Sequence, residues 1–120
     1  VIQTEHIQAV EEADEIYSVP GINAIFSGPN DLAYSMRSPD GAMPSPEHFE
    51  ATLARILKTA KAHGLPCGLH TLSIQDALRR ASQGFQLIAA GSELKFMLDG
   101  ATDAMRQAYP DRAEGGLAKY

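Results

Sequence analysis

Four short, largely apolar runs, each followed by residues at helical spacing, constrain this chain of 120 residues more than any other feature. The first run is residues 1–4, cut off by Glu5; the others are residues 22–27 (INAIFS), 65–70 (LPCGLH) and 85–90 (FQLIAA). Between them, Val10, Ala13, Ile16 and Tyr17 fall at helical spacing, and Phe49, Leu53, Ile56, Leu57 and Ala60 mark one face of a longer helix. Short apolar strands alternating with helices predict a parallel sheet covered by helices, an α/β fold. Two architectures satisfy the pattern: a doubly wound sheet, or part of an eight-stranded barrel. A complete barrel takes about 250 residues, so four units make about half of one. Periodicity alone leaves the two open.

Breakers set the element ends. Pro20-Gly21 stops a first helix over residues 7–19, and Pro29 suits the first position of a short helix reaching Met36. Residues 37–46 (RSPDGAMPSP) hold three of the seven prolines and read as a surface loop. Ser45 then caps a helix with Pro46 at its first position, and His63-Gly64 ends it. Ser73 and Asp76 resemble a capping box ahead of a helix over residues 74–82, which Gly84 stops. A last helix runs from Glu93 to Tyr109 and closes at Pro110. Residues 1–110 thus read as one run of four βα units, and 111–120 as a tail with little core-forming pattern.

Composition narrows the function classes. With 44% hydrophobic and 21% charged residues, the chain has ordinary globular composition rather than that of a disordered segment or a fibrous repeat. A formal charge of −5 argues against a nucleic-acid partner. No apolar run approaches the roughly 20 residues of a membrane helix. The single cysteine, Cys67, cannot form an intrachain disulfide and reads as a small buried hydrophobe; with no secretory signal visible, a cytoplasmic protein is expected. A chain that begins at Val1 rather than Met also reads as a fragment.

In parallel α/β folds, chemistry gathers at the carboxyl ends of the strands. Here those ends are Gln3-Thr4-Glu5, Ser27 to Asp31, His70-Thr71 and Gly91-Ser92-Glu93. Glu5 and Asp31 follow adjacent strands, which lie about 4.8 Å apart, so both side chains can reach one ion. Two carboxylates with positions left for water and substrate suit Mg²⁺ or Mn²⁺. The competing reading makes Glu5 a solvated acid and Asp31 an acid at a helix start. Gln3 shares the side of Glu5 if the strand alternates, or is a satisfied buried amide. In the Gly28-Pro29-Asn30-Asp31 turn, Gly28 allows close approach, Pro29 has no N–H, and Asn30 and Asp31 present the backbone donors that favour an anion. No two histidines have metal-ligand spacing: His48 and His63 read as surface residues, His6 as facing away from the rim, and His70 as the best candidate of the four. Tyr34 and Met36 read as core or lid packing. The sequence has no GxGxxG, P-loop, GxSxG or Cys-His zinc set.

These residues resemble the HpcH/HpaI aldolase family of metal-dependent pyruvate aldolases. VIQTEHIQAVEEADEI, VPGINAIFSGPNDLA and GFQLIAAGSEL look like its second half, over Val1 to Leu98. The family pattern reads Gln-Ile-Glu after one strand and Gly-Pro-x-Asp-Leu after the next. Here these are Gln3-Thr4-Glu5, with Thr4 in the middle, and Gly28-Pro29-Asn30-Asp31-Leu32. The resemblance implies the C-terminal half of a TIM (β/α)8 barrel that cleaves 2-keto-3-deoxy or 4-hydroxy-2-oxo acids to pyruvate and an aldehyde, in carbohydrate-acid or aromatic catabolism. It implies Glu5 and Asp31 as ligands of Mg²⁺, Mn²⁺ or Co²⁺. Gln3, Gly28, Pro29, Asn30 and Asp31 would form the substrate site, with Asn30 and Asp31 acting through backbone N–H groups. The family's His base and Arg lie on earlier strands, so no catalytic residue is assigned here, neither His70 nor Arg37. No lysine sits at a strand end, so this segment gives no sign of a Schiff-base mechanism. Homo-oligomers, hexamers by family resemblance, are expected, and Leu94, Met97, Leu98, Ala101, Met105 and Ala108 could supply the surface or pack within the chain. The alternatives are a related citryl or malyl coenzyme A lyase and a noncatalytic half-barrel that binds a metal or small acid.

Four βα units standing alone would leave two unpaired sheet edges and an open inner face. About 130 further residues are expected ahead of Val1 on the barrel reading. The 120 residues expressed by themselves should therefore self-associate in size-exclusion chromatography with light scattering. A monodisperse monomer that unfolds cooperatively would contradict this.

Overall fold

All four apolar runs become strands of one parallel sheet, and their order in space is their order in the chain. The computed structural model describes residues 1–110. Its elements run β1 (Ile2–Gln3), α1 (Ile7–Glu11), α2 (Ala13–Tyr17), β2 (Ile25–Ser27), α3 (Pro29–Ser35), α4 (Pro46–Ala62), β3 (Cys67–Thr71), α5 (Ile74–Gln83), β4 (Leu87–Ala90) and α6 (Glu93–Ala108). A doubly wound sheet reverses its strand order at a switch point, whereas a barrel wall progresses without reversal. The order β1-β2-β3-β4 is the barrel progression. Residues 1–90 form one compact unit, and the described residues from Gly91 to Pro110 belong to a second.

Several strands start later than their apolar runs, for identifiable reasons. Pro66 has no N–H, so the β3 ladder opens at Cys67, while the Pro66 carbonyl accepts from Ile25 N (2.9 Å). Phe85 gives its N–H to the Arg80 carbonyl (3.2 Å) and so closes α5 rather than joining β4. The single helix expected over residues 7–19 is broken at Glu12 (φ −92°, ψ 10°) into α1 and α2, yet Val10, Ala13 and Tyr17 are all buried. Helix starts follow the expected chemistry. Ser45, Ser73 and Ser92 accept from His48 N (3.2 Å), Asp76 N (3.1 Å) and Lys95 N (3.2 Å). Asp76 directs its carboxylate at Arg79 (Nε–Oδ1 3.0 Å), so the capping-box resemblance holds through its serine.

The helices bury one face of the sheet. Leu53, Ile56 and Ala60 of α4, Val10, Tyr17 and Leu32 meet Ile25, Cys67 and Leu69 of the strands in one cluster. Each fully buried large aliphatic contributes about 1.5–3 kcal/mol. Cys67 lies in this cluster, and burial pushes its thiol pKa up to about 11, so it packs as a hydrophobe. Arg80 is buried as well, its guanidinium held by Glu50 across the α4–α5 contact (Nη1–Oε2 2.6 Å, Nη2–Oε1 2.7 Å). That pair holds the Glu50 carboxyl below the usual glutamate range. The opposite face of the sheet carries Gln3, Phe26, Gly68 and Leu87 in register, and Leu87 is 46% exposed. Burial on both faces, expected of a parallel sheet, is therefore met on the helical side only.

In the second unit, α6 starts at the Ser92 cap and carries a Lys95–Asp99 ion pair (2.7 Å) one turn apart. None of its residues is buried. No helix among the described residues is long and apolar enough to cross a membrane. The tail expected over 111–120 lies outside the described residues.

At Gly68 the strands β3 and β4 leave no room for a side chain. A Cβ there would overlap the Leu87 carbonyl and lie 2.7 Å from the Leu87 Cβ, and the backbone could yield only by parting β3 from β4. Gly68→Ala should destabilise the protein by about 1–3 kcal/mol in urea unfolding. An unchanged midpoint would contradict this packing.

Candidate functional site

The carboxyl ends of β1 and β2 lie side by side, and the parallel pairing Gln3↔Phe26 extends one step further through Thr4 N to Phe26 O (2.8 Å). Glu5 follows at once. Its side chain returns to the side of Gln3, whose Nε2 donates to Glu5 Oε2 (3.3 Å). This is the alternation expected of i and i+2 on a strand.

From β2 the chain enters α3 through Gly28, the N-cap, with Pro29 as the first helical residue. A Cβ on Gly28 would overlap Glu5 Oε2 and lie 3.5 Å from Asp31 Oδ2. The absence of that one carbon lets an oxygen of each carboxylate come near the same spot beside Gly28, with Glu5 Oε2 the nearer. The first helical bond runs from Leu32 N to Gly28 O (2.9 Å). The N–H groups of Asn30 and Asp31 precede it and have no intrahelical acceptor. One small surface thus presents two carboxylates, a side-chain amide and two backbone donors. Such a set can hold a divalent cation beside a small carboxylate.

Beneath this surface lies a layer of buried hydroxyls that the sequence reading missed. The Thr4 hydroxyl and Tyr17 OH share a hydrogen bond (2.9 Å), and Ser27 Oγ donates to the Thr4 carbonyl (3.0 Å). Burial raises the Tyr17 phenol above its ordinary pKa. The available signal was polar residues at strand positions that face the helical core.

The remaining candidates separate. His6 Nδ1 accepts from Gln8 N (3.2 Å) and caps α1. His63 Nε2 pairs with Asp14 Oδ1 (3.0 Å), with its ring edge-on to Tyr17. His48 is exposed on α4, and His70 stands on β3 in register with Ala89. Tyr34 is exposed with the Arg37 guanidinium 4.0 Å above its ring, so it is surface rather than core, while Met36 packs against the core. Among the described residues no three His, Cys, Asp or Glu side chains group to hold a metal. A groove of about 470 Å³ between α4 and α5, lined by Leu53, Leu57, Lys58, Lys61, Arg80 and Phe85 among others, includes none of the rim residues.

Comparison with known proteins gives a consistent picture. The sequence profile of the HpcH/HpaI aldolase/citrate lyase family matches residues 1–100. The 5-keto-4-deoxy-D-glucarate aldolase of Citrobacter koseri is 36% identical over 96 residues, covering 78% of this chain and 36% of that protein. A crystal structure of an HpcH/HpaI aldolase/citrate lyase family protein from Burkholderia cenocepacia superposes with a TM-score of 0.78 at 27% identity, over 88% of this chain and 40% of that one. The citrate lyase beta subunit of Mycobacterium tuberculosis, solved with oxaloacetate and magnesium, superposes at 0.59 with 21% identity, over 89% of this chain and 50% of that one, and shares the fold. The chain spans well under two thirds of the relatives it matches.

Proposed function

The chain belongs to the HpcH/HpaI aldolase/citrate lyase family, and on that premise we propose that the complete protein is a divalent-metal-dependent aldolase. It cleaves 2-keto-3-deoxy or 4-hydroxy-2-oxo acids to pyruvate and an aldehyde. The observation that carries this reading is the approach of Glu5 and Asp31 to one point above Gly28. The fit to a metal rests on the same geometry: two hard oxygen donors near one spot, and a side chain at position 28 would collide with the nearer of them. Such donors suit Mg²⁺, Mn²⁺ or Co²⁺ and leave positions for water and substrate. The magnesium and oxaloacetate carried by the citrate lyase neighbour support that class of ligand. When bound, the cation supplies Lewis-acid stabilisation of the negative charge that develops on the keto oxygen.

This chain's own residues then bind and orient. The Asn30 and Asp31 N–H groups donate to the carboxylate of the pyruvate part of the substrate. Gln3 holds Glu5 in place and offers its amide at the same edge, while Gly28 and Pro29 keep that edge low enough for close approach. The His base and the charge-stabilising Arg come from outside this chain. The exposed apolar side chains of α6, Leu94, Met97 and Met105 among them, provide a surface for a homo-oligomer, a hexamer on the family pattern. A cytoplasmic enzyme of small acids completes the reading.

In the complete protein, Glu5→Gln and Asp31→Asn should each weaken Mn²⁺ binding in calorimetry by more than the roughly 10- to 100-fold that loss of an outer partner of a ligand costs. They should also lower kcat/KM for aldol cleavage by about 100-fold or more. Cleavage that survives Glu5→Gln in the presence of a chelator would overturn the mechanism. Gly28→Ala, which adds one methyl group where the carboxylates approach, should weaken Mn²⁺ by about tenfold while the protein stays folded. Unchanged affinity would mean that this point is not the metal site.

A further inference from the structure

Thr4 occupies the middle position of the Gln3-Thr4-Glu5 motif and is 1% exposed. An aliphatic side chain there could be buried at no polar cost, whereas a hydroxyl must find a partner. It finds one in Tyr17 OH at 2.9 Å, on a side chain that is itself 3% exposed. The two other polar groups of Thr4 are also engaged. Its N–H donates to the Phe26 carbonyl (2.8 Å), and its carbonyl accepts from the wholly buried Ser27 Oγ (3.0 Å). Thr4 is therefore fastened to β2 by two bonds and to α2 by a third.

Position in the chain gives these bonds their consequence. Thr4 directly precedes Glu5, and Ser27 directly precedes Gly28, the cap of the helix that carries Asp31. The Ser27–Thr4 bond thus ties the residue before Glu5 to the residue before the cap of the Asp31 helix. The Tyr17–Thr4 bond fixes the depth of the first of those residues against α2. β1 is a strand of two residues with one further backbone bond from Thr4, and the side-chain bonds add to that constraint on where Glu5 begins.

We propose that Thr4, Tyr17 and Ser27 are positioning residues that set the Glu5 carboxylate relative to Asp31, and so set divalent-cation affinity. This rests on the metal-binding reading of Glu5 and Asp31. Outer partners that orient ligating side chains typically account for 10- to 100-fold in metal affinity.

The test uses the complete protein with Mn²⁺ alone as the probe, titrated by calorimetry. Tyr17→Phe removes the phenol oxygen and keeps the ring, Thr4→Val keeps the shape, and Ser27→Ala cuts the opposite bond. Each should weaken Mn²⁺ by about tenfold. Ile56→Val, a core change on α4, should lower the unfolding midpoint and leave Mn²⁺ affinity within about twofold of the parent, since it removes one methyl group and none of the hydrogen bonds among Thr4, Tyr17 and Ser27. Tyr17→Phe combined with Thr4→Val should bind Mn²⁺ about as well as the weaker single variant, because both remove the same bond. If Tyr17→Phe does not fold, Ser27→Ala reads the same constraint from the other side.

Mn²⁺ affinity within about twofold of the parent for Ser27→Ala and Thr4→Val would overturn the proposal. So would equal weakening in Ile56→Val. Glu5→Gln separates the two levels. If it weakens binding while the hydroxyl variants do not alter affinity, the positioning role alone fails. If Glu5→Gln binds Mn²⁺ like the parent, the metal reading fails and takes this proposal with it.

Discussion

Parallel pairing in chain order is the constraint on which everything else here depends. Because β1 to β4 all point the same way, every carboxyl end falls on one rim, and the residues that follow each strand become neighbours. Glu5 and Asp31 are far apart in sequence, yet the Gln3↔Phe26 register places the turns that carry them side by side. An antiparallel pairing would have sent one of them to the opposite end of the sheet. The same progression, without reversal, also separates a barrel wall from a doubly wound sheet, and the superposition on an HpcH/HpaI family structure agrees with it.

Space, as much as charge, shapes the rim. Two carboxylates approaching one point repel each other, and nothing in the backbone alone would hold them there. Gly28 permits the approach by leaving out a side chain, Gln3 donates to Glu5, and the start of α3 presents its N–H groups nearby. A cation at that point would turn the repulsion into attraction, and this is the physical basis of the metal-binding proposal. Beneath it, the Thr4, Tyr17 and Ser27 hydroxyls replace what could have been plain hydrocarbon, and a buried hydrogen-bonded layer resists displacement more directionally than apolar packing does.

The sheet is asymmetric in a way that matters for the whole protein. Its helical face is closed by Leu53, Ile56, Val10 and their partners, while Gln3 and Leu87 on the other face remain exposed. Gly68 lets β3 and β4 approach closely on that open face. A barrel interior is filled by side chains from all of its strands. The open face is what a wall of such a barrel presents, in keeping with a chain that spans 36 to 40% of its curated relatives.

Much of this was legible in the sequence because it is local. Helical spacing placed Val10, Ala13 and Tyr17 on one face, Ser45 and Ser73 announced helix starts, and Pro29 marked the entry to α3. The motif residues Gln3, Glu5 and Gly28 to Asp31 could be picked out by their places after apolar runs, and family resemblance attached a chemistry to them. The break at Glu12, the late start of β4 and the buried Arg80 were not legible. Each depends on which distant group receives a hydrogen bond or a charge: the Arg80 carbonyl for Phe85, the Glu50 carboxylate for the Arg80 guanidinium. Composition and periodicity by themselves determined an α/β chain of repeated strand and helix with two acids at strand ends, because those properties follow from the spacing of neighbours. Only the tertiary structure decided that the strands run in order, that oxygens of both acids come near the same spot beside Gly28, and that Thr4 is tied to Tyr17 and Ser27, because those facts belong to contacts between segments that no local pattern encodes.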